Sequence, residues 1–203
     1  MNWAAIILAA GRSSRMGSSH KLLEDLHGKP LICHVIDVAQ NAKISPVLMV
    51  TGYRRADVMA LAQGRGVQEV FNPDYAQGMM SSVQSGLRAV PSDREGVVIL
   101  LGDMPMVTER HIRQTISALE ARPNALAAVP VYQQEWGHPV VIRRGLFEAV
   151  MALSGDHGAR SVLKAHLSRV VEVPMDDPAI LLDLDTPEAL ALARQNKPTA
   201  LKP

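Results

Sequence analysis

Between Ala4 and Lys21 the chain reads AAIILAAGRSSRMGSSHK. An apolar run stops at Gly11, and a polar stretch follows that carries Arg12, Arg15 and Lys21. Backbone N–H groups near Gly11 and Gly17 can face anionic oxygens, while the three cations supply charge, so this stretch suits a phosphate-bearing ligand. Carboxylates recur in the same kind of place further on. Asp103 follows the apolar run VVILLG, and Asp183 and Asp185 lie in LLDLDTPEAL. A carboxylate at the mouth of a buried strand can hold a divalent cation, and Mg2+ takes one or two such groups with water and phosphate completing its shell.

The first loop fits neither of two familiar nucleotide templates. A Walker A loop places Lys directly after its second Gly, whereas here that glycine is displaced to Gly17 and the lysine comes at Lys21. The Gly-x-Gly-x-x-Gly dinucleotide fingerprint is missing because Ser13 follows Arg12, and the second strand ends Thr51-Gly52 without an acid for a ribose. A solvated surface loop has the same composition, so the loop alone does not decide. Asp103 is equally a turn residue before Pro105. Asp185 or Thr186, ahead of Pro187, is equally a helix cap, and capping by Thr186 is compatible with metal binding by Asp185. If 180–184 is a strand, alternation puts Asp183 and Asp185 on one face and Leu184 on the other.

Gln77–Ser82 (QGMMSS) sets free N–H groups and the hydroxyls of Ser81 and Ser82 at a helix N-terminus, which suits a base or ribose and also plain capping. Gly137-His138-Pro139 is a tight turn whose histidine faces either an acceptor or solvent. Cys33 and His34 are adjacent on a helix and point apart, which excludes a catalytic dyad. The histidines show no metal-ligand spacing, and there is no Gly-x-Ser-x-Gly elbow.

Composition narrows the classes. Aromatic residues make up 3% of the 203, too few for the stacking platforms of a single-strand nucleic-acid binder. The formal charge is +1 with acids and bases interspersed, so no basic stripe addresses duplex DNA. A single cysteine excludes an intramolecular disulfide framework and a cysteine-only zinc site. The apolar stretch Trp3–Ala10 has no preceding Lys or Arg and runs straight into the Gly/Arg loop, unlike a signal peptide. No apolar run approaches membrane-spanning length, and the expected location is the cytoplasm.

The elements that must position these groups alternate. Strands are expected at Ile6–Ala9, Val47–Thr51, Val67–Phe71, Val97–Leu101, Ala127–Val131, Val140–Ile142, Val170–Val173 and Ile180–Leu184. Helices are expected at Leu31–Gln40, Arg54–Ala62, Gly78–Val90, from N-cap Thr108 to Ala121, near Leu146–Leu153 and Ala159–His166, and from Pro187 to about Arg194. Asn72-Pro73-Asp74 reads as a turn and Gln133–Pro139 as a loop. The pattern implies an α/β fold: a mostly parallel sheet covered on both faces, with an antiparallel edge and an acceptor-side lobe from Gln133 to Asp177. One domain over residues 1–195 and a frayed tail over 196–203 complete the expectation. In such sheets ligands bind beyond the C-terminal ends of the strands, which selects Ala10–Lys21, Asn72–Ser82, Gly102–Pro105 and Asp183–Thr186.

Taken together, LAAGRSSRMG with Lys21, VTGYR (Val50–Arg54), NPDYAQGMMSSV (Asn72–Val83), GDMP (Gly102–Pro105), GHP (Gly137–Pro139) and LDLDTPEAL (Leu182–Leu190) resemble molybdenum cofactor cytidylyltransferases. These form a branch of the nucleotidyltransferase superfamily with a three-layer Rossmann-like sheet, and the resemblance runs from Ala4 to about Arg194. It implies transfer of CMP from CTP to the phosphate of molybdopterin, with release of pyrophosphate. It also implies that Arg15 and Lys21 hold the triphosphate, helped by the backbone at Ala9, Ala10 and Gly11 and by Arg12, Ser13 and Gly17. Asp103 and Asp185 match the metal pair, with Mg2+ or Mn2+ as the metal, and Asp103 also belongs to the catalytic and nucleotide-binding set with Arg15 and Lys21. Gly78, Ser81 and Ser82 match the nucleoside pocket, and Gly137 and His138 the acceptor side.

Cytidylyl members resemble this chain in reading LAAG where guanylyl members read LAGG, so Ala10 points to CTP. The spacing before Lys21 is wider than in shorter versions of the loop. Partners implied are CTP and molybdopterin as substrates and, by analogy, a transient contact with a molybdoenzyme or its insertion chaperone, with neither nucleic acid nor membrane. The alternatives are guanylyl or sugar-phosphate transfer within the superfamily, a nicotinamide-dependent oxidoreductase, which the missing fingerprint counts against, and a non-catalytic cofactor-binding module.

Overall fold

Trp3–Ala9 forms strand β1, and its side chains divide between two faces. Trp3, Ala5, Ile7 and Ala9 enter one buried cluster, and Ala4 and Ile6 enter another. Alternation along a strand sends successive side chains to opposite faces, so a run that is apolar throughout is covered on both sides. The computed structural model describes residues 2–13, 16, 20–153 and 159–195. The expected tail over 196–203 lies outside the described residues.

A small antiparallel hairpin, β2 (Asp25–Leu26) and β3 (Lys29–Pro30), precedes helix α1 (Leu31–Asn41). Next come β4 (Val47–Thr51), α2 (Arg55–Ala62), β5 (Val67–Phe71), α3 (Met79–Arg88), β6 (Gly96–Leu101) and α4 (Glu109–Glu120). The later part holds β7 (Ala127–Tyr132), β8 (Glu135–Trp136), β9 (Val140–Arg143), α5 (Phe147–Met151), α6 (Ala159–Ala165), β10 (Val170–Pro174) and α7 (Pro187–Gln195). The large sheet has the order β10-β7-β9-β6-β1-β4-β5, with β8 paired to β7. β1 is parallel to both β4 and β6, β4 to β5, and β7 to β10. Among the described residues the antiparallel pairing is confined to β9, inserted between β6 and β7, to the short β8, and to the separate hairpin.

Helices α1, α2 and α4 cover one face through Ile32, Ile36, Val58, Ile112 and Ile116. Helices α3, α5 and α6 cover the other through Val83, Leu87, Val150 and Leu163. Three layers result, as the alternating pattern requires. Thr108 caps α4 as expected: its hydroxyl accepts from the His111 N–H at 3.4 Å while His111 Nδ1 accepts from the Thr108 N–H at 3.2 Å. Two expectations are corrected. Gln133–Pro139 is not all loop, since Glu135–Trp136 pairs with β7. The segment 180–184 is not a strand: Pro178–Leu181 is a 3-10 helix whose N-cap Asp177 accepts the Ala179 N–H at 2.9 Å. Asp177-Pro178 starts a helical turn, and this local capping outweighs the apolar content of the residues that follow.

Candidate active site

The parallel strands β1, β4 and β6 end side by side, and backbone bonds tie the loops that leave them. Gly102 donates its N–H to the Leu8 carbonyl at 3.0 Å, and Tyr53 donates to the Ala10 carbonyl at 3.2 Å. Ala9 pairs with Thr51 at the last rung between β1 and β4. A cleft of about 230 Å3 opens at these ends, with Ala10, Gly11, Lys21, Tyr75, Ser82 and Asp103 among its walls. This is where a sheet of this class takes a ligand.

Lys21, at the start of a 3-10 turn, receives support from the loop before it: its backbone N–H reaches the Ser13 hydroxyl at 3.3 Å. Met16 anchors the loop by packing in a small cluster with Leu26, Leu31, Leu184 and Leu190. The Lys21 ammonium donates to Asp103 Oδ2 and to Asp185 Oδ1, so three residues far apart in sequence meet at one point. Burial works against the ammonium, but the Asp103 and Asp185 carboxylates outweigh it and hold its pKa above the ordinary lysine value. Burial pushes the Asp103 carboxyl upward, and Lys21 opposes that rise.

Asp185 is placed by its neighbours. The Leu184 N–H donates to the Asp103 carbonyl at 3.0 Å. Leu184 is buried while Asp183 is exposed, so the coil sends only one of the two candidate aspartates into the site. Thr186 caps α7, its hydroxyl accepting the Ala189 N–H at 3.2 Å, so the cap bond comes from Thr186 and not from Asp185.

Two carboxylate oxygens converging on one cationic group are a donor set suited to a hard divalent cation, with remaining positions for water and phosphate. Among the described residues no cluster of three or more His, Cys, Asp or Glu forms a closed metal cage. Two carboxylates are a donor set that Mg2+ or Mn2+ accepts.

Gly78 and Ser82 line the cleft at the start of α3. Ser81 is turned to local bonds instead, its hydroxyl donating to the carbonyls of Asp74 and Gly78 at 2.9 Å. Arg12 is exposed, with its guanidinium 5.6 Å from the centre of the Tyr75 ring. Arg15 and Gly17 lie outside the described residues. Gly137 and His138 line a separate, mainly apolar cavity of about 280 Å3, which adjoins the cleft through the shared residues Leu8, Met79 and Leu101. Gly137 sits where a Cβ would come within 2.3 Å of the Ile180 carbonyl oxygen, so a side chain would open this wall. The His138 N–H donates to that carbonyl at 2.9 Å. Burial, with a smaller contribution from Arg160, lowers the His138 imidazole to about 4 and keeps it neutral.

Four residues of the site escaped sequence reasoning. Tyr75 forms a wall of the cleft. Gly52 lets Tyr75 and Ala10 close together, since a Cβ there would lie 2.6 Å from Tyr75 and 2.9 Å from Ala10. Asn72 donates to the hydroxyls of Ser81 at 2.9 Å and Ser82 at 3.0 Å. His20 is buried and stacks on Tyr53 with ring centres 5.8 Å apart, and its burial holds the imidazole below the usual value. All four sit in or beside the motif segments, but nothing in their types marks the contacts.

Comparison with known proteins places the chain in a family. The family model described as the MobA-like NTP transferase domain matches residues 5–170. The molybdenum cofactor cytidylyltransferase of Escherichia coli (strain K12) is 31% identical over 193 residues, covering 94% of each chain. The purine catabolism protein PucB of Bacillus subtilis (strain 168) is 30% identical over 200 residues, covering 94% of this chain and 95% of its own. Among solved structures, that of Rv0371C in complex with manganese, from Mycobacterium tuberculosis H37Rv, superposes with a TM-score of 0.81 at 26% identity, covering 97% of this chain and 100% of the other.

Proposed function

The chain belongs to the MobA-like NTP transferase domain family and is a nucleotidyltransferase, and from that premise we propose that it transfers CMP from CTP to the phosphate of molybdopterin. The observation that carries the reading is the meeting of Lys21, Asp103 and Asp185 beside the cleft that holds Ala10 and Gly11. Likeness to the cytidylyltransferase over 94% of both chains supports the choice of substrates. The methyl of Ala10, packed near Gly52 and Tyr75, narrows the floor of the cleft and favours a pyrimidine.

In this reading the triphosphate lies against the backbone of Gly11 and the N-terminal turn of α3, with Lys21 and Arg15 on its anionic oxygens. Asp103 and Asp185 hold Mg2+ or Mn2+, which when bound neutralises phosphate charge and polarises the phosphoryl group. The manganese named for the Rv0371C structure favours a metal of this kind. An acceptor phosphate oxygen attacks the α-phosphorus of CTP, the bond to the α–β bridging oxygen breaks, and pyrophosphate leaves with the electron pair. The attacking oxygen is already anionic, so no serine or cysteine nucleophile is needed. Catalysis is then positioning and electrostatic stabilisation by the chain's own groups.

The apolar cavity behind Met79, with Gly137 and His138 in its wall, takes the body of the acceptor, while the acceptor's phosphate reaches the cleft through the boundary the two cavities share. Among the described residues no helix is long and apolar enough to cross a membrane. The reading carries a cytoplasmic setting, where CTP is available, and a transient handover of product to a molybdoenzyme or its chaperone.

A second reading keeps nucleotidyl transfer and changes the acceptor or the base. The similar identity to a purine catabolism protein favours keeping it in view. Pyrophosphate release with molybdopterin and Mg2+, run in parallel with CTP, GTP and ATP, separates the two. CTP is expected to exceed the others by about tenfold or more, a difference of ~1.4 kcal/mol in the barrier. Preference for GTP or ATP would overturn the cytidylyl assignment.

A further inference from the structure

We propose that Lys21 is an internal counter-ion that competes with the divalent cation for Asp103 and Asp185, so that metal enters the site as a triphosphate draws the lysine away. This rests on the assignment of the two aspartates to the metal. Lys21 bonds one oxygen of each carboxylate. The three side chains are only 15%, 15% and 20% exposed, so bulk water does little to screen the charges. A divalent ion bound to both carboxylates would need the place the ammonium holds, and the two cations would repel strongly at contact distance.

The lysine has somewhere else to go. Its backbone is fixed by Ser13 and by the turn it opens, while its long stem borders the same cleft as Gly11, Gly78 and Ser82. A polyanion there offers Lys21 a new partner without any movement of the main chain. Exchange of partners then couples the two ligands: the metal's apparent affinity falls by the fraction of molecules in which the lysine holds the pair, and nucleotide relieves that competition. Linkage makes the coupling reciprocal, so metal tightens nucleotide by the same factor.

The test is Mn2+ binding, followed by the electron paramagnetic resonance signal of the free ion, with and without CTP and with acceptor omitted so that no transfer occurs. Lys21→Met is expected to bind Mn2+ alone about tenfold more tightly than the native protein, within the usual range for coupled sites, and to show a smaller gain on adding CTP. Circular dichroism checks its fold. Lys21→Gln, which keeps a polar side chain but removes the charge and is one atom shorter than lysine, takes its place if Lys21→Met does not fold. Mn2+ affinity in the lysine variant equal to or weaker than native overturns the proposal. Asp103→Asn keeps the two failures apart. If it retains native Mn2+ binding in the presence of CTP, the metal assignment itself is wrong. If it loses that binding while the lysine variant stays at native affinity, only the counter-ion role is lost.

Discussion

Leu184 donates its backbone N–H to the backbone carbonyl of Asp103, and this bond sets the relation between the two carboxylates of the site. It joins a loop after β6 to a coil before α7, and it belongs to the main chain. Substituting the Asp103 side chain therefore leaves the register intact, and the two effects of Asp103 can be separated.

Asp103→Asn is expected to lower turnover by about 10²–10³-fold, the usual cost of losing one transition-state electrostatic contact. Lys21 keeps Asp185 as a partner, so the loss of stability should stay near ~1 kcal/mol. Pyrophosphate release at saturating Mg2+ and a thermal melt measure the two quantities. Native turnover in this variant would remove Asp103 from the metal assignment.

Gly52→Ala tests the wall of the cleft. The added Cβ would meet Cβ and Cγ of Tyr75 at 2.6 Å, atoms close to the main chain that cannot swing aside as a flexible chain end would. Tyr75 and its turn must shift, at a cost of about 1–3 kcal/mol typical of overpacking. The KM for CTP should rise about tenfold while the acceptor's changes little, since Tyr75 borders the cleft proposed to take the nucleotide and not the neighbouring cavity. An unchanged KM for CTP would mean that Tyr75 does not shape nucleotide binding.

The layered fold was legible because its signals are local. β1 is apolar on both faces, and Thr108 precedes a helix whose buried positions recur at helical spacing. The strand expected over 180–184 failed because Asp177-Pro178 capped a 3-10 turn there, a local signal that the apolar residues masked. Pairing order was not legible, since nothing in β9's own sequence says that it slots antiparallel between β6 and β7. The same holds at the site. Lys21, Asp103 and Asp185 could each be marked as a charged residue near a strand end, but their meeting depends on Met16 and Leu184 sharing one small cluster. Contacts such as Gly52 with Tyr75 arise from packing between β4 and the turn after β5, which no spacing encodes.

Asn72 ties the turn after β5 to the start of α3 by three side-chain bonds. Its amide nitrogen donates to the Ser81 and Ser82 hydroxyls, and its carbonyl oxygen accepts the Asp74 N–H at 3.0 Å. Asn72→Asp keeps the acceptor for Asp74 and loses the two donated bonds, whereas Asn72→Ala loses all three. Ser82 is buried, so Asn72→Ala leaves its hydroxyl short of a partner at about 1–3 kcal/mol, whereas in Asn72→Asp the hydroxyl can turn and donate to the new carboxylate. Calorimetric titration with CTP should show weaker binding for both variants, with the larger loss of thermal stability in Asn72→Ala. Native CTP affinity in Asn72→Asp would restrict Asn72 to shaping the turn.

His138 gives the protein an acid-sensitive stability. Burial lowers its imidazole from 6.5 to about 4, so between those values the unfolded chain binds a proton that the folded chain does not. Stability must therefore rise with pH across that window and fall as the solution is acidified. The gap between 6.5 and about 4 corresponds to ~3 kcal/mol in all. About 2 kcal/mol of it should be gone by pH 5 and most of the rest by pH 4, with little further loss from this residue below that. Buried His20 and His111, whose values are also lowered by burial, act in the same direction and stay in place when His138 alone is changed. Comparing the native protein with His138→Asn by urea unfolding at pH 7.5 and pH 5 isolates the effect. The native protein should lose about 2 kcal/mol more than the variant between the two conditions, and equal losses would mean that His138 is protonated as readily in the fold as in the unfolded chain.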